Sequence, residues 1–211
     1  MLRTVRIGLP RFLIGSLFSS VYMALSGLVA RFGTASLAVL GIVNRIESVV
    51  YLTADAVGAS TAALVGQNLG ARQPARAGRA ADTAAWVALA IATPPMLGML
   101  LVPDLLVRPF TADPEVLRLA GPYLRIIGLS QLFMAIEIVY ASAFAGAGDT
   151  LPPMLVELPI SASRVPLAWL AAFRLGLGLP GVSWVLTITC ALRGVWIALW
   201  FRTGRWQRRR L

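Results

Sequence analysis

The sequence contains no lysine and no histidine, and it has one cysteine and nine acids among 211 residues. With no histidine and only Cys190, the chain has no donor set for structural zinc, haem or Cys-His nucleophilic chemistry. A lone cysteine cannot close an intramolecular disulfide. Cys190 lies in an apolar run, where it reads as a small packing residue. Charged residues are 13% of the chain and hydrophobic residues 58%. A soluble domain carries about a quarter charged residues, so the missing charge implies an apolar solvent.

All 19 basic residues are arginine, and the net charge is +10. A basic balance can point to nucleic acid, but such modules need a soluble fold with a basic face. Here the arginines fall in short gaps between apolar runs, the pattern of a membrane protein with a sidedness. A span needs roughly 20 apolar residues. Six windows qualify, at 8–30, 36–65, 80–102, 121–145, 151–173 and 181–201. Backbone groups in lipid must be satisfied within the segment, so these are helices. The predicted fold is all-α, a six-transmembrane-helix bundle forming one lobe over residues 1–211. The first 30 residues imitate a signal peptide, but their apolar stretch is too long and reads as a retained span. On the side holding both termini stand Arg3, Arg6, Arg11, Arg72, Arg76, Arg79, Arg202, Arg205 and Arg208, Arg209 and Arg210. The other side has Arg31, Arg108, Arg118 and Arg174. Eleven against four predicts cytoplasmic termini of a multi-pass protein in the cell inner membrane or plasma membrane.

One stretch interrupts the apolar pattern: "LVGQNLGARQPARAGRA", from Leu64 to Ala80. It is no phosphate loop, since it lacks GxxxxGK[ST] and GxGxxG and no strand precedes it. Gly66 and Gly70 are expected to end a helix, Gln67 and Asn68 to take up free carbonyls, and Pro74 to begin the next helix. Within this stretch, "AALVGQNLGARQPARA" resembles the segment joining the second and third helices of a lobe in the multidrug and toxic compound extrusion (MATE) family. "GLPRFLIGSLFSSVYMAL", "GIVNRIESVVYL", "YLRIIGLSQLFMAIEIVYASAFAGAGDT" and "SRVPLAWL" resemble further segments of that family in the same order.

The resemblance implies the C-terminal half of a twelve-helix transporter. Family members export organic cations and other amphipathic compounds in exchange for protons or sodium ions, by alternating access between two lobes. The implied partners are membrane lipid, an N-terminal lobe in the same longer chain or as a separate half, and small amphipathic or cationic substrates. No cofactor beyond the coupling ion H+ or Na+, and no nucleic acid, is implied. A half lobe leaves its cleft-facing surface bare, so a non-transporting fragment or a half-subunit needing a partner is the alternative. A lipid-linked sugar flippase of the same superfamily is a second one. The chain departs from one branch of the family: Ile14 and Met134 stand where that branch has acids, and Ala145 where many members have arginine. Proton coupling through the N-terminal lobe is then expected.

Acids within spans are costly and are candidates for function. Glu137 lies mid-span, with Ser130, Phe133, Tyr140 and Phe144 at helical spacing. A carboxylate flanked by aromatics suits an organic cation, through charge pairing and cation–π attraction. Equally, Glu137 reads as a neutral acid hydrogen-bonded to a neighbouring helix. In the second span Asn44, Glu47, Ser48, Tyr51 and Asp55 form a polar stripe that must face protein or water. Glu47 there is either part of a pathway or neutralised by Arg45 from the same turn. Glu157, Ser161 and Arg164 share a face of the fifth span and are expected to serve packing, with Pro159 and Pro166 bending the helix. Lacking histidine, a metal cluster and a clustered acid motif, the chain reads as no enzyme.

Overall fold

The computed structural model describes the backbone of residues 2–208 and the side chains of residues 15–207. Arg3, Arg6, Arg11, Ile14 and Arg208 to Arg210 lie outside the described side chains. The helices, in chain order, are α1 (Leu2–Ala30), α2 (Thr34–Gly70), α3 (Pro74–Leu101), α4 (Pro103–Val107), α5 (Pro114–Gly128), α6 (Gln131–Gly146), α7 (Leu151–Trp169) and α8 (Gly178–Arg202). α7 continues into a wide π turn, Leu170–Arg174, and a short 3-10 turn, Arg205–Arg208, follows α8. No strand occurs among the described residues.

Four helical segments are long and apolar enough to cross a membrane: Thr34–Gly70, Pro74–Leu101, Leu151–Arg174 and Gly178–Arg202. The pair α5 and α6, which meet at a 47° bend, is together long and apolar enough to make a fifth. The described apolar part of α1, Gly15–Ala30, is shorter. The bend corrects the expectation of one continuous helix over 121–145. At the bend the backbone tightens, with Leu129 N donating to the Ile126 carbonyl at 3.3 Å and Ser130 N to the Ile127 carbonyl at 2.9 Å, and side chains add further donors to the same two oxygens. Ser130 donates its hydroxyl to the Ile127 carbonyl at 2.7 Å, and Gln131 Nε2 donates to the same oxygen at 3.2 Å. Thr187 of α8 donates to the Ile126 carbonyl at 2.9 Å. Gly128 lets the bend press on α3, where an added Cβ would lie 3.1 Å from Met99 Cβ.

Chain ends of the helices follow local chemistry. Asp113 caps α5 by accepting from Glu115 N at 2.8 Å, with Pro114 at the first helical position. The turn from α2 to α3 is closed by Arg72 N donating to the Leu69 carbonyl and Gln73 N to the Asn68 carbonyl, a Schellman arrangement. Its left-handed residue is Arg72, at φ 58, and not a glycine. Asn68 does reach a carbonyl, donating Nδ2 to Leu64 O at 2.7 Å. Gly66, expected to end α2, serves another purpose.

That purpose is helix contact. Along α2, Gly58, Ala62 and Gly66 recur every four residues and face Ser142 and Gly146 of α6. An added Cβ at Gly58 would lie 2.6 Å from Ser142 Oγ, and one at Gly66 3.2 Å from the Gly146 carbonyl. A Cβ on Gly146 would fall onto the backbone of Ala62. On the opposite side Gly194 of α8 brings its backbone against Phe133, with 2.5 Å between a virtual Cβ and the Phe133 carbonyl. Small residues give close approach where water supplies no hydrophobic drive between helices. α6 is therefore the central helix, packed on α2, α3 and α8, while α7 packs between α1 and α8.

Candidate functional site

α6 carries the polar interior of the lobe. Glu137 is buried and reaches α8, where Arg193 Nη2 lies 3.3 Å from Glu137 Oε2. The two charges pair, but their alignment is poor for hydrogen bonding: neither Glu137 Oε2 nor Arg193 Nε has a hydrogen-bond partner. The other arm of the guanidinium, Nη1, donates to Ser161 of α7 at 3.1 Å. One turn along α7, the buried Arg164 donates Nε to Thr189 of α8 at 2.9 Å. Thr189 in turn donates to the Val185 carbonyl at 2.8 Å. Ser161 and Arg164 thus tie α7 to α8, in line with the packing role expected of that face.

A second polar pocket lies at the bend. Gln131, fully buried, donates Nε2 to Glu47 Oε1 of α2 at 2.9 Å. Its other end, Gln131 Oε1, has no partner, and neither has the buried hydroxyl of Tyr123 on α5. A carboxylate and an amide side chain therefore meet where the helix is interrupted, and the Tyr123 hydroxyl is buried on α5 ahead of the bend. Unpaired buried polar atoms cost roughly 1–3 kcal/mol each. Each marks a place that a water, ion or polar ligand atom would complete.

The stripe expected around Glu137 is divided between neighbours. Tyr140 is buried, yet its hydroxyl donates to Asp82 of α3 at 3.0 Å, and its ring packs on Phe201 of α8 at 4.7 Å. Phe144 meets the same Phe201 edge-on at 5.5 Å, and Trp206 stacks on its other side at 4.5 Å. Phe133 is half-buried and lines a shallow groove between α6 and α8. So the acid faces an arginine, while Tyr140 and Phe144 form a separate cluster toward the end of the bundle that holds the C terminus.

On α2 the outcome is mixed. Arg45, expected to neutralise Glu47, is exposed and forms no ion pair among the described residues. It lies two residues from Glu47, on a different face of the helix, and Gln131 takes its place. Asn44 and Tyr51 are exposed and Asp55 is half-exposed. Together with the half-buried Ser48, one turn from Asn44 and from Tyr51, they form a polar stripe along α2 from Asn44 to Asp55. Arg193, Gln131, Tyr123 and Thr189 were not singled out by the sequence as site residues. The available signal was Arg193 itself: an arginine deep in a span requires an acid at matching depth on another helix.

Comparison with known proteins places this geometry. The MatE family model matches residues 10–170. A probable multidrug resistance protein NorM of Thermotoga maritima is 28% identical over 209 residues, covering 97% of this chain and 44% of that protein. One from Caulobacter vibrioides is 31% identical over 175 residues, covering 80% of this chain and 36% of its own length. An FAD transporter of Shewanella oneidensis is 27% identical over 184 residues, 87% of this chain and 40% of that one. Among solved structures, a MOP superfamily transporter from Pyrococcus furiosus, described as having a binding pocket of reverse polarity, superposes with a TM-score of 0.88 at 23% identity. It covers 96% of this chain and 45% of that one. A MATE structure in the bent conformation gives 0.86 at 23%, covering 94% and 44%. The chain spans about half the length of the relatives it matches.

Proposed function

Because the chain belongs to the MatE family, we propose that it is the C-terminal lobe of a secondary active antiporter. In this reading the complete transporter exports amphipathic compounds, organic cations among them, in exchange for protons or sodium ions. The complementary lobe covers the polar face of α2. Both termini lie in the cytoplasm, as the arginine distribution favours.

The observation that supports this most directly is the placement of charge. Glu47, Glu137, Arg164 and Arg193 sit inside an apolar bundle, beside a polar helix face that lipid would not tolerate. Transporters with repeated lobes bind near the midplane at the interface of the repeats. Along α2, Asn44, Glu47 and Asp55 line the approach, and Glu137 lies deeper. Glu137 holds an internal cation, Arg193, at 3.3 Å. A substrate cation or a proton arriving at Glu137 competes with that arginine. When Glu137 is neutralised, Arg193 keeps its Ser161 hydrogen bond and loosens its hold on α6. Loading and helix packing are thereby linked through one side chain. Tyr140, bonded to Asp82 and packed on Phe201, and Phe133, in the groove between α6 and α8, stand apart from this path.

The test is ethidium accumulation in cells that lack their own efflux pumps. They express this chain alone, the N-terminal lobe of the Thermotoga maritima relative alone, or both. Accumulation should fall only when both lobes are present. Efflux by this chain alone, or unchanged accumulation when a pull-down shows both lobes assembled in the membrane, would refute the proposal.

A further inference from the structure

Between α6 and α8 a groove of about 190 Å³ opens toward the membrane, lined by Phe133, Ile136, Gly194, Val195, Ala198 and Leu199, with Arg202 at its end. From Gly194 to Arg202 it follows α8 for roughly 12 Å at the helical rise of ~1.5 Å per residue. Its floor exists because Gly194 has no side chain and lies against the Phe133 backbone. Its outer rim belongs to the exposed face of α8, where Trp184, Ile188, Leu192, Trp196 and Leu199 all stand out of the bundle. In a membrane this face meets lipid tails.

The end of the groove has a different character. Arg202 is exposed and is in no ion pair among the described residues. Trp206 folds the chain back by donating Nε1 to the Phe201 carbonyl at 2.9 Å, which holds the exposed Arg205 at the same end. Gln207 Nε2 would lie 3.5 Å from a Cβ on Gly78, so the first turn of α3 with the exposed Arg79 also arrives there. Asp82 is the nearby acid of that turn, and its Oδ1 already accepts from Tyr140. An apolar groove thus runs up to a basic rim at the helix ends.

We propose that this groove is a binding site for an anionic phospholipid, with one acyl chain along Phe133, Gly194 and Ala198 and the headgroup phosphate on Arg202. Arg205 and Arg79 add attraction at the rim. Zwitterionic lipids fit the channel equally well but gain less from the rim. A lipid held here also covers the place where α8 contacts α6 through bare backbone.

Membrane vesicles of phosphatidylethanolamine and phosphatidylglycerol carrying the full 211-residue chain test this. They receive trace phosphatidylglycerol or phosphatidylcholine bearing a diazirine on the acyl chain, and adducts are mapped after irradiation. Adducts on Phe133, Ile136, Val195 and Leu199 should be at least about fivefold more frequent from phosphatidylglycerol, the factor expected of Arg202 alone against an anionic headgroup. Arg202→Gln should lower that ratio about fivefold, leaving what Arg205 and Arg79 contribute. Val195→Trp, which fills the groove from an exposed position, should remove the adducts of both lipids. Free glycerol phosphate should leave them unchanged. Equal labelling by the two lipids in the unaltered chain, or a ratio unaffected by Arg202→Gln, overturns the headgroup assignment. Adducts that persist in Val195→Trp, or that are no denser in the groove than on Trp184 and Ile188, overturn the groove.

Discussion

Removing Arg193 should destabilise this lobe more than any other single change to its polar interior. The Arg193 and Glu137 side chains are 11% and 9% exposed, with their charged atoms 3.3 Å apart. In Arg193→Gln the carboxylate of Glu137 stays buried without its counter-charge, and Ser161 loses its donor. Breaking a buried pair by deleting one member costs roughly 3–5 kcal/mol. Glu137→Gln leaves Arg193 its hydrogen bond to Ser161, so its cost should fall near the lower bound, ~3 kcal/mol. The double variant Glu137→Gln/Arg193→Gln buries no charge at this point, and its two amides can bond each other. It should be no less stable than the worse single variant, which puts the coupling at ~3 kcal/mol or more, the cost of the milder one. Unfolding in mixed micelles by increasing denaturing detergent, read by the fluorescence of the six tryptophans, gives all three values. Single costs that add within ~0.5 kcal/mol would refute the pairing. The same variants separate structure from transport in the two-lobe protein. If the double variant recovers stability but efflux stays lost, Glu137 acts on the substrate or ion. If efflux returns with stability, the pair holds helices and nothing more.

Three other predictions follow from backbone and packing. Gly146→Ala should cost roughly 1–3 kcal/mol by forcing α6 off Ala62, whereas Gly41→Ala, with nothing within 4 Å of the new Cβ, should gain ~0.5–1 kcal/mol; equal shifts in unfolding midpoint would refute the close crossing. Arg72→Gly should raise the midpoint by the equivalent of ~1 kcal/mol, since it removes a side chain from a left-handed residue at φ 58, and a lower midpoint would show that the Arg72 side chain contributes more than its strain. Cys190, buried with Sγ 3.8 Å from the Ser130 carbonyl, should resist maleimide in intact membranes and react on denaturation; rapid labelling of the native protein would place it in a water-filled path.

Much of the fold was legible because the solvent dictates it. Apolar length and arginine gaps locate the crossings, and Pro74 and Pro114 mark helix starts at the first helical position. The contacts between crossings were less legible. Glu137 and Arg193 were each visible as charges in hydrocarbon, but their pairing depends on how α6 and α8 are rotated about their axes, and neither sequence segment encodes that alone. Arg45 looked like the natural partner of Glu47 because it is near in sequence. Two residues along a helix are about 200° apart around its axis, so the pair cannot close. The Gly58, Ala62, Gly66 spacing was a readable sign of a close crossing, and it was obscured by the stronger turn chemistry of Gly66, Gln67 and Asn68.

The bend at Leu129 and Ser130 shows most clearly why local reading falls short. "YLRIIGLSQLFMAIEIVY" contains no proline and only one glycine, and every residue in it is compatible with a straight apolar helix. What makes the interruption tolerable lies partly elsewhere in the chain. Thr187 on α8 supplies a donor for the Ile126 carbonyl, and Gln131 supplies one for Ile127 while bonding Glu47 on α2. These side chains add to the bonds that Leu129 N and Ser130 N make to the same carbonyls, so the bend is supported from α8 and α2 as well as from its own backbone. Such contacts also divide α6 into two parts. From Ser142 to Gly146 it is held by backbone contact with α2, which has one good arrangement. From Gln131 to Glu137 the close contact of Gly194 with the Phe133 backbone is joined by side-chain hydrogen bonds and one ion pair, and these polar bonds can be made with other partners at similar cost. Any rearrangement of this lobe that a substrate or ion induces should begin in that first part, where Gln131 bonds Glu47, Glu137 pairs with Arg193, and Gln131 still carries an oxygen atom without a partner.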